Sequence, residues 1–215
     1  MTEEKTFIIG DIHGCLDALK RVLDKIAWRP DKDRLIFVGD YIDRGQDPKG
    51  VIDFLLALKK ISDKIDCLLG NHEAVFLDYL LGGNGDMFLM NGGVSTLASY
   101  NLDQFHRGHT LSIPSEHLRF YQTLKPILTL DDYYVVHAGF RPGVPVDQQT
   151  LMEMLWIRKT FIYSHYDFGK KVIFGHTPLE KPLVMDNKIG IDTGAVFGNK
   201  LTCLELPEMR FHSSK

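Results

Sequence analysis

Thr6-Phe7-Ile8-Ile9-Gly10-Asp11-Ile12-His13-Gly14 is the stretch from which the rest of the chain can be read. Thr6 to Ile9 are aromatic or β-branched and predict a buried strand, and Gly10 and Gly14 bracket the turn that ends it. Asp11 and His13 are two residues apart, so in extended geometry both point to one side at the strand's C-terminal end. Open α/β sheets bind their ligands at that end. A carboxylate oxygen beside an imidazole nitrogen suits Mn, Fe or Zn better than Mg or Ca, which prefer all-oxygen shells. Asp-x-His alone is a weak signal, and only further donors at equivalent strand ends give it weight.

The same ending recurs. Leu16, Leu19, Val22, Leu23 and Ile26 predict an amphipathic helix that Trp28-Arg29-Pro30-Asp31 breaks. A second buried strand, 34–38, runs into Gly39-Asp40-Tyr41-Ile42-Asp43-Arg44-Gly45. Asp40 is placed as a second metal carboxylate able to bridge two ions. After a helix over 49–58, a third strand, 65–69, ends in Gly70-Asn71-His72-Glu73, with helix again from 74 to 81. His72-Glu73 lacks a second His four residues on, which excludes the metalloprotease helix.

In the second half, strands over 127–130 and 133–136 form a hairpin, so the sheet is expected to be mixed. The second of them ends in His137-Ala138-Gly139-Phe140-Arg141, and a strand at 172–174 ends in Gly175-His176-Thr177. A hairpin at 183–191 leads to Asp192-Thr193-Gly194, and 201–206 is a last strand. Between the halves, Gly82-Gly83-Asn84-Gly85-Asp86 lacks the Lys-Ser/Thr of a phosphate-binding loop and reads as a turn into an insertion of about 82–126. The insertion is expected to be mostly helical, with Ser115 as an N-cap, and to form a lid or cleft wall in which Gly92-Gly93 lets backbone approach a ligand. His106, His109 and His117 read as surface histidines.

Bulk properties narrow the function. The chain has 215 residues with 25 Lys+Arg against 28 Asp+Glu, a net charge of -3. Without clustered cations, neither stable nucleic-acid binding nor a polybasic membrane surface is indicated. No apolar run is long enough to span a bilayer and no leader pattern precedes the first strand, so a cytoplasmic protein with one domain over 1–215 is expected. Cys15, Cys67 and Cys203 are too few and too far apart for a disulfide framework and read as ordinary buried or half-buried thiols.

Collected, the strand ends describe two overlapping coordination spheres: Asp11, His13 and Asp40 for one divalent ion, and Asp40, Asn71, His137 and His176 for the other. Two such ions can share a hydroxide that attacks a phosphate directly. Arg44 and Arg141 lie on ligand-bearing loops and are candidates for the phosphate oxygens. His72 is the candidate general acid, oriented by Asp43. No Ser or Cys sits in a nucleophile elbow, which argues against a covalent intermediate.

These motifs resemble, in order and spacing from Gly10 to Leu206, the phosphoprotein-phosphatase branch of the calcineurin-like metallophosphoesterases, and among them the compact bacterial or phage-type serine/threonine phosphatases. The resemblance implies a β-sandwich flanked by helices, two ions with Mn favoured over Fe or Zn, and phosphomonoester hydrolysis with the roles above. Arg158, which follows a Trp, resembles a second-half arginine of bacterial members that touches phosphate, against the plain reading of a salt-bridged Arg beside a core Trp156. No regulatory subunit is implied, because the longer C-terminal substrate loop of eukaryotic members has no counterpart. Symmetrical diadenosine tetraphosphatases share most motifs but usually carry Asp where this chain has Glu73, which favours phosphoprotein or small phosphoester substrates. The alternative is a dinucleoside polyphosphate or RNA 5′-end pyrophosphohydrolase with a base pocket drawn from Tyr100, Phe105 or Tyr121. A non-catalytic scaffold would have lost ligands or His72, and none is missing.

Overall fold

The computed structural model describes residues 4–102 and 113–215. Ten strands occur among them: β1 (Thr6–Ile9), β2 (Arg34–Phe37), β3 (Ile65–Cys67), β4 (Ile127–Thr129), β5 (Tyr133–Val136), β6 (Lys171–Phe174), β7 (Leu183–Val184), β8 (Lys188–Gly190), β9 (Thr202–Leu206) and β10 (Arg210–Ser213). They form two five-stranded mixed sheets, ordered β10-β9-β1-β2-β3 and β4-β5-β6-β8-β7.

The layering follows from strands that are apolar on both faces. Along β1, Phe7 and Ile9 face one way and pack with Leu19 and Val22 of α1 (Leu16–Lys25) and Val51, Ile52 and Leu55 of α2 (Pro48–Ile61). Ile8 faces the other way, into a core between the sheets with Ile36, Val135, Ile173, Ile189 and Leu204. The outer face of the second sheet, through Val136, Val172 and Phe174, packs on Met154 and Phe161 from α7 (Leu151–Trp156) and α8 (Lys159–Ile162). A one-residue slip of β1 would exchange its two cores, so register is tightly specified. Parallel pairing sets Ile9 level with Phe37 and Phe37 level with Cys67 in one sheet, and Val135 with Ile173 and Ile173 with Ile189 in the other. Strand ends that carry functional residues therefore finish together.

The expected α/β sandwich of mixed sheets with helical flanks is what the chain adopts. Details differ. α3 (Asn71–Leu80) starts at Asn71 rather than at 74, because Glu73 in its first turn accepts the N–H of Gly70 at 3.2 Å. The edge strand β10 was not expected, since its polar sequence shows no alternation and it is ordered by pairing with β9 and by Lys25 of α1, which donates to the Ser213 carbonyl at 2.9 Å. The insertion is helical where described, with α4 (Gly85–Phe88), a wide turn over Leu89–Gly93, α5 (Val94–Ser99) and α6 (Ser115–Gln122). Ser115 is the first helical residue and makes no cap bond. Gly92 meets Arg44, whose N–H donates to its carbonyl at 3.1 Å, and a Cβ there would lie 2.7 Å from Arg44 Cγ. His117 is not a surface residue: it is buried, between Tyr100 Oη at 2.7 Å and Asp53 Oδ1 at 2.9 Å. His106, His109 and Phe105 lie outside the described residues.

Candidate active site

The site lies where β1, β2, β3, β5, β6 and β8 end. Crowding there requires missing side chains: a Cβ on Gly70 would lie 2.2 Å from Asp40 Oδ1, and one on Gly175 2.0 Å from Asp11 Oδ1. It also strains backbone. Five of the seven described non-glycine residues with positive φ are His13, Asp40, Asp43, Arg44 and His176, a conformation that costs on the order of 1 kcal/mol each and concentrates where function requires it.

Two groups of donors form around Asp40. His137 and His176 join it in one, and His13 and His72 in the other. His137 Nδ1 donates to the Val38 carbonyl at 3.0 Å, and His13 Nδ1 to the Ile42 carbonyl at 2.8 Å. A carbonyl only accepts, so each ring carries its proton on Nδ1 and turns the Nε2 lone pair inward. Burial keeps both rings neutral, lowering His13 to about 3 and pulling His137 down as well. His137 Nε2 then faces two further acceptors, Asn71 Oδ1 at 2.9 Å and Asp40 Oδ1 at 3.4 Å, with no proton between them. Asn71 Oδ1 is also 2.9 Å from His176 Nδ1. His176 Nδ1 is also 3.2 Å from His137 Nε2, and one proton on it can serve only one of these acceptors; the remaining lone pairs repel one another unless a cation joins them.

Two further observations fit divalent ions. Asp11 Oδ1 and His176 Nε2 are buried without a hydrogen-bond partner. Burial, with the charges of Asp192 and Asp40 beside it, lifts the Asp11 carboxyl well above the usual range, and burial lifts Asp192 to about 6. Carboxylates assembled at such cost call for positive charge. The nitrogen and oxygen donors match borderline divalent metals. Asp11 itself stands outside both tight groups. Its Oδ2 accepts the His176 N–H at 2.9 Å, and His72 takes the position beside His13 and Asp40.

His72 Nδ1 is 2.6 Å from Asp43 Oδ2, leaving Nε2 3.9 Å from Asp40 Oδ2. Burial would lower this imidazole, but Asp40 and the bond to Asp43 outweigh it and raise its pKa. Thr96 of α5 donates to Asp43 Oδ1 at 2.5 Å and accepts the Asp43 N–H at 3.0 Å. Sequence reasoning missed Thr96 because nothing local marks a hydroxyl in a short helix.

The three arginines separate. Arg44 Nη1 is 2.9 Å from His13 Nε2, at the edge of the donor cluster. Arg158 donates to the His176 carbonyl at 3.1 Å, and Trp156 stands 6.1 Å from the His176 ring. The Arg141 side chain, by contrast, is 65% exposed and pairs with Glu153 at 3.4 Å, away from the donor cluster. Its own N–H donates to Gln149 Oε1 at 2.7 Å, which fixes the loop backbone while the guanidinium stays largely in solvent. Asp192 was passed over in the sequence although it follows β8 as Asp11 follows β1, and that strand-then-carboxylate pattern was the available signal. Glu73, read from sequence as a substrate marker, instead accepts N–H groups from Asp40, Tyr41, Ile42 and Gly70 at 2.8–3.2 Å.

A strand-end cluster of His, Asp and Asn on this sandwich defines a metal-dependent phosphoesterase. The chain belongs to the calcineurin-like phosphoesterases, whose family model matches residues 5–205, and this family uses a dinuclear metal centre. It is similar to the bis(5′-nucleosyl)-tetraphosphatase PrpE [asymmetrical] of Anoxybacillus flavithermus, 29% identical across 94% of this chain and 90% of that one. The protein of the same name from Bacillus thuringiensis is 28% identical over the same shares. Among solved structures, one assigned provisionally as a diadenosine tetraphosphatase has a TM-score of 0.75 at 24% identity, covering 99% of this chain and 93% of that one. A Saccharomyces cerevisiae serine/threonine phosphatase has a TM-score of 0.67 at 15% identity, covering 98% and 79%. These two share the fold. No described helix is long and apolar enough to cross a membrane.

Proposed function

We propose that this chain hydrolyses a phosphoric anhydride bond of a dinucleoside polyphosphate, working as one catalytic unit over 1–215 in the cytoplasm. The observation that carries the reading is its likeness, over 94% of its length, to relatives named for cutting bis(5′-nucleosyl) tetraphosphates. The phosphomonoester substrates that the sequence ranked first move to second place, since the phosphoprotein-phosphatase structures share only the fold at 15–19% identity.

Asp40, His13, Asn71, His137 and His176 would hold the ions, with Asp11 completing the set. Divalent metals there, Mn before Fe or Zn, would acidify water and neutralise phosphate oxygens. Arg44 and Arg158, at the edge of the cluster, bind non-bridging oxygens and favour the charge that grows on them. His72 gives the Nε2 proton to the leaving oxygen, while Asp43 fixes the ring and favours its charged form. Water attacks directly, and the chain contributes no nucleophile.

The test is turnover by Mn-reconstituted protein of diadenosine tetraphosphate against a phosphoserine peptide. Preference for the dinucleotide, with AMP and ATP as products, supports the reading and an asymmetrical cut. Preference for the peptide returns the phosphomonoester reading to first place and leaves the metal site standing.

A further inference from the structure

Phe197 is 63% exposed, although its place is rigidly built. It ends a single turn, Ala195–Phe197, closed on either side by Gly194 and Gly198 at φ 67° and 85°, in the left-handed region that glycine alone adopts freely. Asp192 Oδ1 accepts the Gly194 N–H at 2.9 Å, so the turn hangs from a carboxylate of the active site. The Phe197 and Asn199 N–H groups both return to the Gly194 carbonyl, at 3.0 and 3.2 Å. The turn backbone is thus fixed, and it presents a large apolar ring to water beside the active site.

What lies beside it states the chemistry. The Arg44 guanidinium carbon is 5.6 Å from the Phe197 ring centroid, and Nη1 of the same arginine is 2.9 Å from His13 Nε2. One guanidinium therefore spans from a donor of the metal cluster to the ring. From Arg44 a groove of about 710 Å³ opens beside the ring rather than under it, lined by Arg21 and Lys215, by Asp17 and Asp47, and by Ala195 and Val196 of the turn that precedes Phe197. That volume suits a nucleotide. Tyr100 and Tyr121, expected as base-pocket walls, are buried and bonded to each other at 2.9 Å, and cannot receive a base.

Resting on the proposed function, we infer that Phe197 is the stacking platform for a nucleoside base of the substrate, with Arg44 gripping the adjoining phosphate and the groove receiving the rest of the polyphosphate chain. Any base presents a π-face to the ring, so the platform selects nucleotides as a class and is tolerant of which base they carry.

Measure KM for diadenosine tetraphosphate and the inhibition constant of inorganic tripolyphosphate, which has phosphates but no base, for the Mn enzyme and for Phe197→Ala, Phe197→Leu and Phe197→Trp. Stacking predicts that Ala and Leu each raise KM about tenfold and move the tripolyphosphate constant far less, while Trp keeps KM near wild type. Parallel shifts in both constants, no shift in either, or a Leu variant equal to wild type overturns the inference. If wild-type protein cleaves the dinucleotide and Phe197→Ala matches it, this inference alone fails; if wild-type protein refuses the dinucleotide, the proposed function fails with it.

Discussion

Thr96 Oγ1 lies 2.5 Å from Oδ1 of Asp43, the carboxylate whose other oxygen lies 2.6 Å from His72 Nδ1. A hydroxyl from the inserted helices thus fixes the carboxylate that fixes the proposed acid. Thr96→Val keeps the shape and removes the donor, so kcat is expected to fall about tenfold with KM much less affected, and Thr96→Ser to recover most of the loss. His72→Asn should reduce turnover further, and more for a phosphoserine peptide than for an aryl phosphate, whose phenolate needs little protonation. A Thr96→Val effect confined to KM would remove the residue from this chain.

Glu73 joins two ligand-bearing loops through four backbone N–H groups. In Glu73→Gln one oxygen becomes an NH₂, which leaves N–H groups facing a donor inside the protein. A loss on the order of 3 kcal/mol is expected in urea unfolding of the metal-free protein, together with weaker Mn binding. Unchanged stability would mean that the loops are held in register by other contacts.

The sandwich was legible because β1, β2 and β6 are continuous apolar runs, each closed by glycine and then a donor residue, a local signal that needs no knowledge of neighbours. His13, Asp40 and His176 followed from it, and the structure gathers them. Residues whose importance depends on a distant partner were not legible. Thr96 matters only because Asp43 meets it across 53 positions. Arg141 sits on a ligand-bearing loop, yet Glu153 holds its side chain outward. His117 looked like a surface residue until Tyr100 and Asp53 closed on it.

Asp11 and Asp192 are buried carboxylates that repel each other. Removing one charge should help the metal-free protein and harm the loaded one. Asp11→Asn is therefore expected to raise the thermal midpoint in chelator and to shrink the rise on adding Mn, which for a tight site at a hundredfold excess over Kd corresponds to about 2.7 kcal/mol. Calorimetry with and without Mn reads both signs. A lower midpoint in chelator would show that hydrogen bonding at Asp11 outweighs the repulsion.

Asp33 supplies a pH dependence far from the metals. Burial alone would raise its carboxyl, but the Arg29 guanidinium and the N–H groups of Lys5 and Arg29 hold it down at about 2. A carboxyl depressed on folding contributes stability that is complete above its ordinary value of about 3.9 and disappears as pH falls through about 2. Asp33→Asn should flatten the stability curve between those limits, as read from urea midpoints at successive pH values. A variant curve parallel to that of wild type across the window would rule out the assignment.

Lys188 is wholly buried, and its ammonium donates to the carbonyls of Phe161, Ile162 and Ser164 with the Phe161 ring 4.2 Å away. Burial lowers its pKa to about 8. Three N–H donors meet three carbonyls at the end of α8, where helix carbonyls lack partners within the helix. Lys188→Met preserves the apolar stem and removes the shared donor; Phe161 O keeps the Ser164 N–H and Ser164 O keeps Asn187 Nδ2, so the expected loss is about 1 kcal/mol in stability. Because the lysine lies on β8, four residues before Asp192, the same variant should also weaken Mn binding if strand and loop move together. Calorimetry of the metal-free protein and Mn titration separate the two effects: a stability loss with unchanged Mn affinity would confine Lys188 to anchoring α8 on the second sheet.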